Sequence, residues 1–298
     1  MGAPVEVVTV QHAPPALHRP VLVASFSGWN DAGEAATGAV GSLAKTLEAT
    51  PYATVDPEAF YDFRSTRPEV RFDQRGERVV DWPGLTLSWA QLPPHPGNGE
   101  RRHLLLLEGP EPNLHWRTFS DGLRDHACSV GVELAIMLGA LQVDVPHTRP
   151  VPITGSSSNA ALGERLHLRR SRYEGPTGIT GVLGAALSAS GLDVVSFWAG
   201  VPHYLAAAVY LAGSLALAER TLSLLEVDLP LEGLAHDAAG QRDEIAALVA
   251  EDDDLADYVG ELEEQLDESE EAADIPQVSG DELAAELERY LRDRGPGA

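Results

Sequence analysis

The chain has 298 residues, 44% of them hydrophobic, enough to bury the core of one large α/β domain or of a domain with an appendage. Its formal net charge is −25, and 24 of its 46 acidic residues lie from Glu226 onward against four arginines, so the first 225 residues are only mildly acidic. A single lysine, Lys45, argues against nucleic-acid binding, which needs clustered cations. A single cysteine, Cys128, excludes an internal disulfide. The longest apolar stretch, 204–218, is too short to span a bilayer, and the N-terminus lacks a signal-peptide pattern, so the expected location is the cytoplasm.

In chain order, residues 5–10 read as an edge strand, and the unbroken apolar or small run Val21–Ser27 as a strand buried on both faces. A turn built from Gly28, Trp29, Asn30 and Asp31 leads into a helix rich in small residues, capped by Asn30 or Asp31, running to about Ala49 and ended by Pro51. Residues 56–63 suit a short turn or helix, and 70–72, 79–82 and 85–89 are short strands, read as hairpins at a sheet edge. His103–Glu108 is a core strand, 115–129 a helix and 132–141 a strand. Residues 142–158 read as a long loop closing on a Gly155–Ser158 turn. Helices are predicted at 160–166, 177–189 and 204–225, with a strand at 194–199. This order predicts a mostly parallel sheet with helices on both faces. Beyond it, Ile245, Leu248, Val249, Leu255, Val259, Leu262 and Leu266 keep helical spacing, as a helix pair or one long helix, and Leu283–Leu291 make a last short helix. The division expected is an α/β core over 1–225 and an acidic helical extension over 226–298.

Five turns that follow predicted strands would share one rim in an open parallel sheet, where ligands bind. The Gly28–Gly33 turn is able to hold an anion at a helix N-terminus; the preferred reading is a tight turn in which Asp31 caps its own helix. There is no Gly-Lys-Ser/Thr or Gly-x-Gly-x-x-Gly pattern for a nucleotide. The turn containing Ser156 is either an anion nest or, preferred, a polar turn before a capped helix. Glu174 either faces a pocket or sits beside Thr177 as helix cap, the latter preferred. His147 with Arg149, in a proline-stiffened loop, is the most enzyme-like pair, an acid or base beside an oxyanion clamp, against the plainer reading of a rigid connector. Glu108 and His203, at the ends of core strands, complete the candidate crevice. Ten histidines are scattered without metal-ligand spacing, and Cys128 reads as a small core or subsurface residue; no metal or cofactor is expected.

The blocks Phe26–Ala36, Asp56–Phe63, Arg67-Pro68, Gly109–Trp116, Asp144–Pro150, Tyr173–Ile179 and Ala199–Tyr204 occur in the order of the PAC2 family, named for a proteasome assembly chaperone, and the chain resembles its bacterial, actinobacterial-type branch, whose helical end is similar to 240–266. The resemblance implies a phosphorylase/hydrolase-like three-layer α/β/α sandwich. It also implies an assembly or interaction factor without catalytic activity, often oligomeric, with proteasome subunits as partners. Several members dock through a C-terminal hydrophobic-Tyr-any tripeptide; the sequence here ends Gly295-Pro296-Gly297-Ala298, so that route is not expected. In place of a Gly/Pro/Asn-rich loop, residues 205–210 are apolar and read as extending the next helix into a subunit contact. The expected function is therefore a homo-oligomeric interaction factor, possibilities of nucleic-acid and membrane binding being set aside. The alternative is an enzyme or small-ligand-binding protein on a phosphorylase-like scaffold, acting on a glycosyl or acyl group.

Overall fold

The computed structural model describes residues 7–168, 171, 173–205 and 209–271. An eight-stranded sheet runs in the order β1 (Val8–Val10), β3 (Thr50–Val55), β6 (Leu85–Gln91), β7 (His103–Glu108), β2 (Val21–Ala24), β8 (Leu134–Val143), β10 (Asp193–Pro202), β9 (Ile153–Ser157). Its middle is apolar enough to be buried on both faces, and alternate residues go to opposite sides. Val21, Val23, Leu104, Leu106, Ile136 and Leu138 pack against α1 (Ala35–Thr46) and α6 (Leu211–Leu225). Leu22, Ala24, Leu105, Leu107, Ala135 and Met137 face α3 (Trp116–Ser129) and α5 (Ile179–Ala189). Two separate cores on either side of one sheet make the three-layer α/β/α sandwich.

Small residues set the spacing of the first layer. A Cβ on Gly38 of α1 would lie 2.3 Å from Ser214 Oγ of α6, so the two helices meet at backbone distance. The short helices α2 (Pro57–Phe60) and α4 (Ala160–Leu166) are capped by the side chains of Asp56 and Asn159. After α6 the chain turns into α7 (Glu232–Ala250) and α8 (Asp253–Glu271), the helix pair that the apolar spacing foreshadowed.

Several expectations are corrected. Only β7, β2, β8 and β10 are mutually parallel; β1, β3, β6 and β9 pair antiparallel, so the sheet is mixed. Residues 153–157 are the edge strand β9, not a loop ending in a turn. β6 lies inside the sheet, while β4 (Glu69–Phe72) and β5 (Arg78–Asp81) form a ribbon of their own. The helix before β3 ends at Thr46, where Glu48 takes a left-handed φ of 49° and Ala49 N–H returns to Ala44 O; Pro51 belongs to β3, beside its irregularity. α6 starts at Leu211, after a 3₁₀ turn at His203–Leu205, because Tyr210 N–H is held by Gly33 O at 2.7 Å. Cys128 is exposed. The predicted helix at 283–291 lies outside the described residues. Among the described residues no helix is long and apolar enough to cross a membrane, and no group of three His, Cys, Asp or Glu side chains is placed to hold a metal ion.

Candidate functional site

The rim at the C-terminal ends of β2, β7 and β8 is built by loops that bind one another. Beyond β2 the parallel pairing continues through Ser25 N–H to Leu107 O, Ser27 N–H to Gly109 O, and Glu111 N–H to Ser27 O. Gly28, at φ 122°, then turns the chain, and Ala140 N–H of β8 donates to Asn30 O at 2.8 Å. Asn30 and Asp31 are buried, at 5% and 6% exposure. The Asp31 carboxylate accepts from Ala36 N–H at 2.6 Å, from Thr37 N–H and from the Thr37 hydroxyl, so it caps α1 across the kink where Gly33 and Glu34 take positive φ.

The cap of α5 is not local. Gly178 precedes it without a side-chain bond, and Glu111, arriving from the loop after β7, accepts Ile179 N–H at 2.7 Å. Thr177 is exposed and does not cap; its hydroxyl reaches only the neighbouring Gly178 O. Glu111 was absent from the candidate site residues: the one signal for it in the sequence was its place in the Gly109–Trp116 block. It packs against Gly28, and a Cβ on Gly178 would fall 1.8 Å from Asn30 Nδ2 and 2.9 Å from Glu111 Oε1. Burial raises the Glu111 carboxyl above its ordinary range, with the Ile179 N–H opposing. The same loop holds the 56–66 segment: Tyr61 donates to Pro110 O at 2.7 Å, and Asn113 Oδ1 accepts from Asp62 N–H and the Thr66 hydroxyl.

His147, Arg149 and His203 form a second group. The Tyr204 hydroxyl accepts His147 N–H at 2.8 Å and lies 2.9 Å from His147 Nδ1. The hydroxyl therefore holds both the backbone and the Nδ1 edge of His147. Burial lowers the His147 pKa, Glu263 opposing, and Nε2 is buried with no partner among the described residues. α8 closes over this loop: Arg149 binds Asp267 with Nη2–Oδ2 at 2.8 Å, Thr148 donates to Glu263, and the Tyr258 ring meets those of His203 and Tyr204 at 5.4 and 6.4 Å between centroids. His203 also pairs with Asp144 at 3.1 Å.

The remaining candidates stand apart. Glu108 ends β7 near Gly41 of α1, and burial raises its pKa. Ser156 pairs with Ser196 within the sheet, in a strand that runs against its neighbour, so it is not on the rim. Glu174 is exposed in the loop before α5, and Trp29 is half-buried. A cleft of about 680 Å³ is lined by His147 and Arg149 with α6 and α7, and by none of the Gly28–Gly33 turn, Glu108, Ser156, Glu174, Thr177 or His203.

Asp31 carries the first expected outcome. Replacement by alanine leaves the Ala36 and Thr37 donors without an acceptor and should lower stability by about 2–3 kcal/mol in urea denaturation, Asp31→Asn by about 1 or less. Burial raises the carboxyl above its ordinary 3.8, outweighing the hydrogen bonds from Thr37 and Ala36. The folded chain therefore keeps the proton to higher pH than the unfolded chain, and this contribution is lost as pH rises from 3.8 through the folded value. The stability of the wild type relative to Asp31→Asn should fall across that window; a rise would refute the assignment.

These features define a three-layer α/β/α protein whose strand-end loops cap and brace one another and whose C-terminal helix pair covers one end of the rim. The chain belongs to the PAC2 family, whose model matches residues 25–249. A Streptomyces avermitilis PAC2 family protein is 41% identical, with a TM-score of 0.73, over 80% of this chain and 99% of that one. A Mycobacterium tuberculosis proteasome-assembly chaperone homologue is also 41% identical, at TM-score 0.71 over 80% and 99%. A Mycobacterium tuberculosis protein of unknown function is 30% identical, at TM-score 0.81 over 94% and 95%. No match was found among curated proteins.

Proposed function

We propose that this chain is a non-enzymatic assembly or interaction factor that works on proteasome subunits in the cytoplasm as a homo-oligomer. The observation that carries this reading is the 41% identity to the Mycobacterium tuberculosis proteasome-assembly chaperone homologue over nearly all of that chain. The use of the family blocks supports it. Asp31, Glu111 and Asn113 spend their side chains on backbone N–H groups of this chain, the work of a scaffold.

A surface suited to a protein partner is present. In the β4–β5 ribbon Val70 faces Val80, and Phe72 and Trp82 fall on the same side by strand alternation. Phe72 is 72% exposed and Trp82 55%, while the other side carries the Arg71–Asp81 pair. Arg78 stands opposite Phe72 at one end of this face, and an exposed apolar patch with a polar rim marks protein contact sites. Tagged full-length protein should recover proteasome subunits from its native host at low salt, and Phe72→Glu should reduce the yield at unchanged thermal stability. Recovery of none by the wild type would sink the reading. Light scattering checks the oligomer separately, a monomer at working concentration being the adverse result.

The second reading, a small-ligand-binding protein on the same scaffold, is favoured by one observation, the cleft beside His147.

A further inference from the structure

We infer that the cleft between α6, α7 and the loop before β9 binds a small organic anion, a carboxylate carrying an apolar tail. Its volume, about 680 Å³, is in the range of small-molecule sites. Its floor is the face of α6 that presents Ala212, Leu215 and Ala216, opposed by Ala235, Ala238 and Ala239 of α7. From Ala212 to Ser223 the helix gives the cleft a length of about 16 Å. Apart from Arg242 at one end, the α7 residues that line it are alanines, so an apolar chain can lie along it.

The two ends differ in polarity. Glu219 and Ser223 line the end toward the C-terminus of α6, and Arg220 there is turned to Leu166 O and the Phe197 ring, 5.1 Å from its centroid. At the other end a water-sized gap of about 10 Å³ is lined by His147, Tyr210 and Arg242, and these same residues line the wider cleft. His147 is 4% exposed, and its Nε2 is a buried polar atom with no hydrogen-bond partner among the described residues. A buried polar atom of this kind calls for a partner. Arg242 is exposed and makes no hydrogen bond or ion pair among the described residues, whereas Arg149 is already held by Asp267. In a chain of net charge −25, this cleft is lined by three arginines and one carboxylate. A carboxylate at this end meets the Arg242 guanidinium and sets the imidazole proton on His147 Nε2, from which it accepts, and its tail follows the alanine-lined floor away from them.

Sodium octanoate is the probe, titrated calorimetrically into the full-length protein, with acetate and 1-octanol as controls for tail and charge. Octanoate should bind at one site, and each control about tenfold more weakly or not at all. Arg242→Ala, an exposed position, should weaken octanoate about tenfold, and Ala216→Trp should abolish binding by filling the floor, with thermal unfolding checking that both variants fold. Octanoate that fails to bind at millimolar concentration, that binds Ala216→Trp as well as wild type, or that binds no better than octanol would overturn the proposal. The proteasome reading is untouched by any of these results, because it is read from subunit recovery.

Discussion

Gly109→Ala should cost about 3–5 kcal/mol, a large part of the 5–15 kcal/mol that holds an ordinary domain. Two effects add. Gly109 sits at φ 149°, where an L side chain is strained by about 1–3 kcal/mol. A Cβ there would also lie 2.4 Å from Gly84 O and 3.0 Å from Leu85 Cα. Those are backbone atoms at the entry to β6, which is hydrogen-bonded along its length to β7, so neither can retreat without opening the ladder from Thr86–Glu108 onward. Gly76→Ala separates the terms: its φ is 77° but nothing lies within 4 Å of a Cβ there, so only the backbone cost of about 1 kcal/mol remains. Urea denaturation of the two variants decides the matter. Equal losses would mean that the close approach of β6 to Gly109 carries no energy.

The same loop shows how far the sequence could be read. His103–Glu108 was legible to the residue because an unbroken apolar run between polar turns has one reading, a strand buried on both faces. The α1 cap was legible because Asp31 is close in sequence to the N–H groups it accepts. Glu111 was not, since it caps a helix 68 residues away, and a local search stops at Thr177. β9 was hidden for a related reason. Ile153-Thr154-Gly155-Ser156-Ser157 has no apolar alternation, and it is a strand only because β10 offers it a ladder. Two more strands of the antiparallel half were missed in other ways: 50–55 was not read as a strand, and 85–89 was placed in an edge hairpin although its partners in the sheet are β3 and β7. The candidate crevice divides on the same ground. Chain order put His147, Arg149 and His203 on the rim with Gly28 and Asn30, but the contact of α8 with the first three depends on Tyr258, Glu263 and Asp267, more than 50 residues downstream.

That contact raises the question of what holds α8, and apolar burial should dominate charge. Val259 and Leu262 are 5% and 4% exposed, and truncating either to alanine should cost about 2–4 kcal/mol. Both the Arg149 and the Asp267 side chains are well exposed, at 35% and 55%, and an exposed pair contributes about 1 kcal/mol or less, screened further by salt. Tyr258 adds edge-on ring contacts to His203 and Tyr204, each worth about 0.5–1.5 kcal/mol. Leu262→Ala should therefore raise amide exchange and protease cleavage within 253–271 by far more than Arg149→Ala does. The Arg149→Ala effect should vanish near 1 M salt, where the screening length falls to about 3 Å, while the Leu262→Ala effect persists. The reverse order, with Arg149→Ala releasing α8 at low salt and Leu262→Ala leaving it in place, would mean that the acidic helix is held as an electrostatic cover. In that case α8 would leave the His147 loop whenever another anion competed for Arg149. With the apolar anchor dominant, the helix stays seated and His147 remains buried whatever the ionic strength.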